Sequence, residues 1–269
     1  NLDLVQVQNP DDNSSNYGPS FEVDNMSLNI AGNVQIELGN LNFKNSTLTL
    51  QQTVSADNGS IRVMNGELIL QDGLSFSNGN LYFDNSVFKP KGSVLLANSG
   101  VGLNNSFIVL QGDTTFSRNG AVSFNDTDNG TSLDLNGNAL TLGSNVTDAY
   151  FNGAQSIGTG ESLSSGSSNL YLNDNLTIGN GGILSSDNGS VTISSGLALN
   201  NGELLQGGGI LNLISGGSVG TDGRLDVSDS ELKLGSALGI TGTLVVDNGT
   251  YWSGWQGTLD LSAGTLESS

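Results

Sequence analysis

Short runs of alternating apolar and polar residues recur along the first half of the chain. One run reads Leu41-x-Phe43, Ile61-x-Val63, Leu81-x-Phe83 and Val101-x-Leu103. A second reads Leu48-x-Leu50, Leu68-x-Leu70, Phe88 and Ile108-x-Leu110. A third reads Val54-x-Ala56, Leu74-x-Phe76, Val94-x-Leu96 and Thr114-x-Phe116. Because a period of two is typical of a strand with one buried face, the pattern predicts three short strands per repeat and no helix.

An asparagine follows the first run of each repeat, at intervals of 20 residues: Asn45, Asn65, Asn85, Asn105 and Asn125. Three strands and three corners in a repeat of this length predict one coil of a β-solenoid, whose coils stack in parallel about 4.8 Å apart and share one apolar core. We expect the asparagine to take a left-handed corner and to hydrogen-bond to the same amide one coil away. The alternative is that asparagine is used only because it suits turns.

The repeat indicates one solenoid domain over residues 26–269. Residues 1–25 carry Pro10 and Pro19 and are expected to form an N-terminal strand and a cap. Residues 125–132 have the composition of an inserted loop, and residues 144–168 are irregular and rich in serine and glycine. We therefore expect a protruding or distorted coil at 144–168.

These features resemble the right-handed parallel β-helix of bacterial surface proteins, namely autotransporter passengers and filamentous-haemagglutinin-like adhesins. The asparagine ladder carries the resemblance together with glycine-led strand starts such as "GSIRV", "GNLYF", "GSVTI", "GRLDV" and "GTLVV". The resemblance implies an all-β extracellular protein of the cell surface.

The charge of the chain argues against some classes of binding partner. There are 26 acidic and 7 basic residues, which gives a formal net charge of −19. Without a basic cluster to neutralise phosphates, nucleic-acid binding is not expected.

No apolar run approaches the length of a transmembrane helix. The N-terminus lacks the pattern of a signal peptide, so we expect any such peptide to have been removed. Cysteine is absent, and so is histidine. The absence of histidine removes the commonest metal ligand and the commonest general base.

Asp126 and Asp128 are the carboxylate pair of note, and they lie within the expected loop. Paired carboxylates can serve as acid and base in glycoside hydrolysis, so a polysaccharide-degrading enzyme is a minor alternative. The other interpretation is a solvated turn or one that binds Ca²⁺, the one cofactor we consider. The loop does not match an EF-hand, because Gly137 stands where the bidentate glutamate would fall.

Tyr251, Trp252 and Trp255 form the aromatic cluster "YWSGWQG" near the C-terminus. Aromatic faces on a rigid scaffold can stack against sugar rings or a partner protein, which makes these residues a candidate ligand platform. The alternative is a plug that covers the last coils.

We therefore expect a non-enzymatic surface protein of the adhesin type, with segment 144–168 as the binding face. Its partner would be a glycan or protein surface of a host cell or of the environment. The alternative is a filament, sheath or surface-layer subunit that polymerises with copies of itself, if the strand-like "NLDLVQVQ" pairs with a neighbour by β-augmentation rather than acting as a cap.

Overall fold

The computed structural model describes residues 20–36, 39–124, 133–247, 251–254, 257–261 and 264–268. Every regular element in these ranges is a β-strand, and the strand pairs are parallel, which confirms the predicted β-solenoid. The chain divides into two compact units, Asn1–Asp134 and Leu135–Ser269.

The first unit contains seventeen described strands: β1 (Ser20–Asp24), β2 (Ser27–Ile30), β3 (Val34–Ile36), β4 (Gly39–Lys44), β5 (Thr47–Leu50), β6 (Val54–Ala56), β7 (Gly59–Met64), β8 (Glu67–Leu70), β9 (Leu74–Phe76), β10 (Asn80–Asp84), β11 (Val87–Lys89), β12 (Gly92–Leu96), β13 (Gly100–Asn104), β14 (Phe107–Val109), β15 (Thr114–Arg118), β16 (Gly120–Ser123) and β17 (Leu133–Asp134).

Each of three sheets in this unit takes one strand from successive coils. Sheet 1 has the order β1-β4-β7-β10-β13, sheet 2 the order β2-β5-β8-β11-β14-β17, and the strands of this unit in sheet 3 have the order β3-β6-β9-β12-β15. The register of sheet 1 advances by 20 residues per coil, as the pairs Leu41↔Ile61 and Ile61↔Leu81 show. The sequence period is therefore the length of one coil.

Alternate side chains of these strands point inward and form the core. In sheet 2, Leu48, Leu68, Phe88 and Ile108 occupy one register column, and each is fully buried. Full burial of a side chain of this kind stabilises the fold by about 1.5–3 kcal/mol. Since a single coil has no second layer to cover its apolar face, this stabilisation depends on stacking.

One alignment made from the sequence is wrong in register. The sequence pattern sets Thr114-x-Phe116 beside Val94-x-Leu96, whereas the structure pairs Phe116 with Val94 and Thr114 with Gly92. The shift is two residues. It leaves Phe116 in the core, because a shift by an even number keeps each side chain on its face of the sheet.

The predicted asparagine ladder is confirmed in the described coils. Asn45, Asn65, Asn85 and Asn105 have φ of 50°, 52°, 49° and 48°, and Asn25 precedes them at 56°. Nδ2 of Asn65 donates to Oδ1 of Asn45 at 3.4 Å, and Nδ2 of Asn105 donates to Oδ1 of Asn85 at 2.5 Å. The ladder lies on the exposed side of the corner. Asn125, its fifth predicted member, lies outside the described residues.

Serine hydroxyl groups line the inner side of the same corner. Ser46, Ser86 and Ser106 are buried. The hydroxyl of Ser86 accepts the N–H of Gly66 at 3.2 Å, and the hydroxyl of Ser106 accepts the N–H of Ser86 at 3.0 Å. The corners at Asn85 and Asn105 are thus tied to each other from both sides. The serine bonds satisfy backbone N–H groups that would otherwise be buried without a partner.

The second unit contains nineteen described strands: β18 (Ala139–Leu142), β19 (Val146–Phe151), β20 (Gln155–Ile157), β21 (Ser162–Ser164), β22 (Asn169–Leu172), β23 (Leu176–Ile178), β24 (Ile183–Ser186), β25 (Val191–Ile193), β26 (Leu197–Leu199), β27 (Glu203–Gln206), β28 (Ile210–Leu213), β29 (Gly217–Val219), β30 (Arg224–Asp226), β31 (Glu231–Leu234), β32 (Leu238–Ile240), β33 (Thr243–Val246), β34 (Tyr251–Gly254), β35 (Leu259–Asp260) and β36 (Thr265–Ser268).

These strands again lie in three parallel series, with the orders β18-β21-β24-β27-β30-β33-β36, β19-β22-β25-β28-β31-β34 and β20-β23-β26-β29-β32-β35. Segment 144–168, which the sequence predicts to be irregular, contains β19, β20 and β21. All three strands pair in register with the following coil, for example Ala149 with Leu170 and Leu163 with Leu184. The glycine residues of this segment lie between its strands, whereas serines such as Ser162 and Ser164 lie within them.

Candidate ligand-binding groove

The candidate metal and ligand residues lie near the end of the first unit and near the C-terminus. Asp126, Asp128 and Trp255 lie outside the described residues. Tyr251 and Trp252 lie in β34, where the register pairs them with Glu231 and Leu232 of β31. The carboxylate pair and the aromatic platform therefore stay predictions.

Sheet 1 presents a regular array of side chains to solvent. The positions that alternate with the buried ones form register columns one coil apart. One column contains Glu22, Asn42, Arg62, Tyr82 and Gly102, and the next contains Asp24, Lys44, Met64, Asp84 and Asn104. The last members of these two columns form a shallow groove, which we call the Tyr82 groove. It is lined by Arg62, Tyr82, Asp84, Gly102 and Asn104, with Phe83 and Leu103 between them.

Tyr82 provides the apolar floor of the Tyr82 groove. It is 45% exposed, which is high for a large aromatic residue in the middle of a sheet. Its ring leans toward Gly102 of the next coil: a β-carbon added to Gly102 would lie 3.1 Å from Cδ1 and 3.5 Å from Cε1 of the ring. The missing side chain at Gly102 thus makes room for the ring and keeps the neighbouring surface low.

Three polar side chains converge beside that ring. Nδ2 of Asn104 donates to Oδ1 of Asp84 at 2.7 Å, and Nη2 of Arg62 lies 3.6 Å from Oδ2 of Asp84. Asp84 is therefore held from two sides. Both ionic side chains keep water contact, with 51% exposure for Arg62 and 33% for Asp84, so the ion pair contributes little to stability. What it provides is a fixed set of donors and acceptors at the edge of an aromatic ring.

A second outward aromatic cluster lies in the second unit. The rings of Tyr150 and Tyr171 stack with centroids 4.7 Å apart and an interplanar angle of 8°. Nδ2 of Asn169 donates to Oδ1 of Asp148 at 3.0 Å beside them. Loss of solvent, followed by the charge of Asp148 and a hydrogen bond to it, raises the pKa of the Tyr171 phenol above its ordinary value of 10.0. The two rings cover each other, so this cluster offers less free ring surface than Tyr82.

The sequence makes Asp126 and Asp128 a candidate metal site, and both lie outside the described residues. Among the residues that the structure describes, no three side chains of aspartate, glutamate, histidine or cysteine converge as a metal site would require. The Tyr82 groove itself has a single carboxylate, that of Asp84, among its described lining residues. Its chemistry is therefore that of hydrogen bonding and ring stacking.

The Tyr82 groove was not among the features predicted from the sequence, although the sequence contains a signal for it. Arg62, Tyr82 and Gly102 are separated by the coil length of 20 residues, as are Asp84 and Asn104. Reading the polar positions of the repeat column by column, as was done for the apolar ones, would have placed these residues side by side. The lean of the Tyr82 ring over Gly102 could not be read in that way.

Comparison with protein-family models, with curated proteins and with solved structures finds no match to this chain. Within the described ranges, no helix is long and apolar enough to cross a membrane.

Proposed function

We propose that this chain is a non-enzymatic attachment protein of a bacterial cell surface, in which the β-solenoid displays a binding surface to the extracellular environment. The observation that carries the proposal is the Tyr82 groove, where an exposed ring converges on one outward face with Asp84 and the two side chains that contact it, Arg62 and Asn104. Binding residues placed on a rigid scaffold lose little freedom on binding, which favours affinity.

The composition agrees with this proposal. A net charge of −19 keeps a surface solvated and self-repelling outside its binding site. A chain without cysteine can persist in an oxidising environment when stacked coils supply its core.

A binding screen of the purified chain tests the proposal. The chain would be applied to a glycan array and to immobilised host cells, with a β-solenoid of unrelated surface as the negative control. We expect saturable binding to at least one of these surfaces. Absence of binding to every surface would count against an attachment role.

A parallel assay tests the non-enzymatic part. The chain is incubated with neutral and acidic polysaccharides, and reducing ends and unsaturated sugars are measured over time. We expect no release above the buffer control. Sustained release that disappears in Asp126→Asn would replace the attachment role with the enzymatic alternative.

A further inference from the structure

We propose that the Tyr82 groove binds one neutral hexopyranose ring of a glycan. This inference rests on the proposed attachment function and names the ligand class of its site. The ring of the sugar would lie on the exposed part of Tyr82, with its hydroxyl groups toward Asp84, Asn104 and Arg62.

The aromatic floor is the first argument. A pyranose ring has faces of C–H groups, and an aromatic ring has a negative face that attracts them. Tyr82 is large, 45% exposed and held beside Gly102 rather than buried under a neighbouring side chain. Because Gly102 has no side chain, a flat ligand can extend over that part of the sheet without a steric clash.

The polar rim is the second argument. Each sugar hydroxyl both donates and accepts hydrogen bonds, so a site for it needs both kinds of partner close together. Asp84 supplies acceptor oxygens, whereas the guanidinium of Arg62 and the amide of Asn104 supply donors. Since Asp84 already accepts a hydrogen bond from Asn104 and forms an ion pair with Arg62, these groups are oriented before a ligand arrives, which reduces the entropic cost of binding.

Charge selects neutral sugars over acidic ones. Arg62 is paired with Asp84, so the Tyr82 groove offers no uncompensated positive charge to a carboxylate or sulfate. The surrounding chain carries a net charge of −19, which repels anionic ligands. Sialylated, uronic and sulfated glycans are therefore disfavoured.

The size of the site favours a sugar over a folded protein. A stable protein interface needs roughly 800 Å² on each partner with a central apolar cluster. The Tyr82 groove has one exposed aromatic ring with polar groups around it, and its lining takes one outward position from the coil of Arg62 and two from each of the next two coils. One ring of a glycan matches that scale.

The test uses the whole chain and defined sugars. Neutral galactose-, glucose- and mannose-terminated oligosaccharides are arrayed beside sialylated and sulfated ones, and the methyl hexosides of the bound types are then titrated by NMR. We expect binding to neutral members. Tyr82→Ala should weaken it about tenfold through loss of the stacking surface, whereas Tyr82→Phe should retain it.

Phe107→Ala is the matched control. Phe107 is 48% exposed in the same unit but lies on β14 of sheet 2, outside the Tyr82 groove. Its removal should leave hexoside binding unchanged. Thermal denaturation of each variant checks that folding is retained, and Asp84→Asn provides a second variant whose size is conserved and which should also weaken binding.

Three results would overturn the proposal. Equal binding by Tyr82→Ala and the wild type would place the site elsewhere. Binding of sialylated or sulfated glycans alone would reject the neutral class. Absence of binding to all the sugars would reject the site; the attachment role would still stand if the chain bound immobilised cells, and it would fall as well if the chain bound neither.

Discussion

Tyr82 leans with its ring against Gly102, its register partner in the next coil, so that an added β-carbon there would lie 3.1 Å from Cδ1 of the ring. The backbone of Gly102 does not require glycine for its own conformation, since Gly102 is absent from the positive-φ residues. What an alanine at this position would change is the ring of Tyr82.

Gly102→Ala should therefore affect binding more than folding. The ring end of Tyr82 is exposed and can shift by the few tenths of an ångström that this contact requires, so we expect the melting temperature to stay close to that of the wild type. Hexoside binding measured by NMR should become severalfold weaker, because the added methyl group displaces the ring and raises the surface beside it. Gly100→Ala is the control, since its β-carbon would meet only Oδ1 of Asn80, at an ordinary 3.5 Å. Equal binding by both variants would contradict the assigned role of Gly102.

Substitutions of Asn65 can separate two contributions to stability at the ladder, namely the left-handed backbone of the corner and the side-chain hydrogen bond between coils. Its φ of 52° is strained for residues other than glycine, asparagine and aspartate. Asn65→Ala should lower the free energy of unfolding, measured with denaturant, by about 1–2 kcal/mol. Asn65→Gly removes the bond to Asn45 but permits the backbone, so we expect a smaller loss. An equal loss in both variants would mean that the side-chain ladder, and not the corner backbone, provides the stability.

Gln206 is a polar side chain in the core of the second unit, at 1% exposure. Its Nε2 donates to the carbonyl of Gly189 at 2.7 Å and to that of Gly208, whereas its Oε1 has no partner within the described part of the chain. Gln206→Met keeps much of the volume and removes the amide.

We expect Gln206→Met to lower the free energy of unfolding by about 1–2 kcal/mol, because the loss of two buried donations outweighs the relief of one unpaired oxygen. The exposed Gln71→Met serves as control and should change stability by less than about 0.5 kcal/mol. A variant at 206 as stable as the wild type would show that the amide is not needed in this core.

We expect the free energy of unfolding to decrease in alkaline solution because of Tyr171. Its folded pKa is raised by desolvation and then by Asp148, so the native state holds the phenol proton more tightly than the unfolded chain. The resulting stability is fully present below pH 10 and decreases as the pH rises through the folded pKa.

A tyrosinate absorbance titration checks this prediction, with Tyr171→Phe used to identify the signal. Asp148→Asn should lower the pKa of Tyr171, because it removes a negative charge that opposes ionisation. The exposed Asp222→Asn should leave it unchanged. A midpoint at Tyr171 that does not respond to Asp148→Asn would contradict the assigned coupling.

The sequence by itself determined the architecture of this protein. Every second residue of a strand is apolar, as at Leu68 and Leu70, and these residues point inward. The corner asparagines recur once per coil. The strands, the corners and the coil length could therefore be predicted from the sequence. These features are local or recur at a nearly constant interval. A parallel stack repeats the same environment in every coil, and its residues therefore repeat as well.

Only the tertiary structure decided the features that depend on how one coil meets the next. The two-residue shift at Thr114 depends on the geometry of a longer corner, and the regular coil at 144–168 depends on neighbours that align its short strands. The Tyr82 groove depends on side-chain direction across coils: alternation predicts that Tyr82 points outward, but not that its ring leans over Gly102 or that Asp84 is held by Arg62 and Asn104. The physical reason is that the period sets the face on which a side chain lies, whereas contacts with the adjacent coils select its rotamer and its partners.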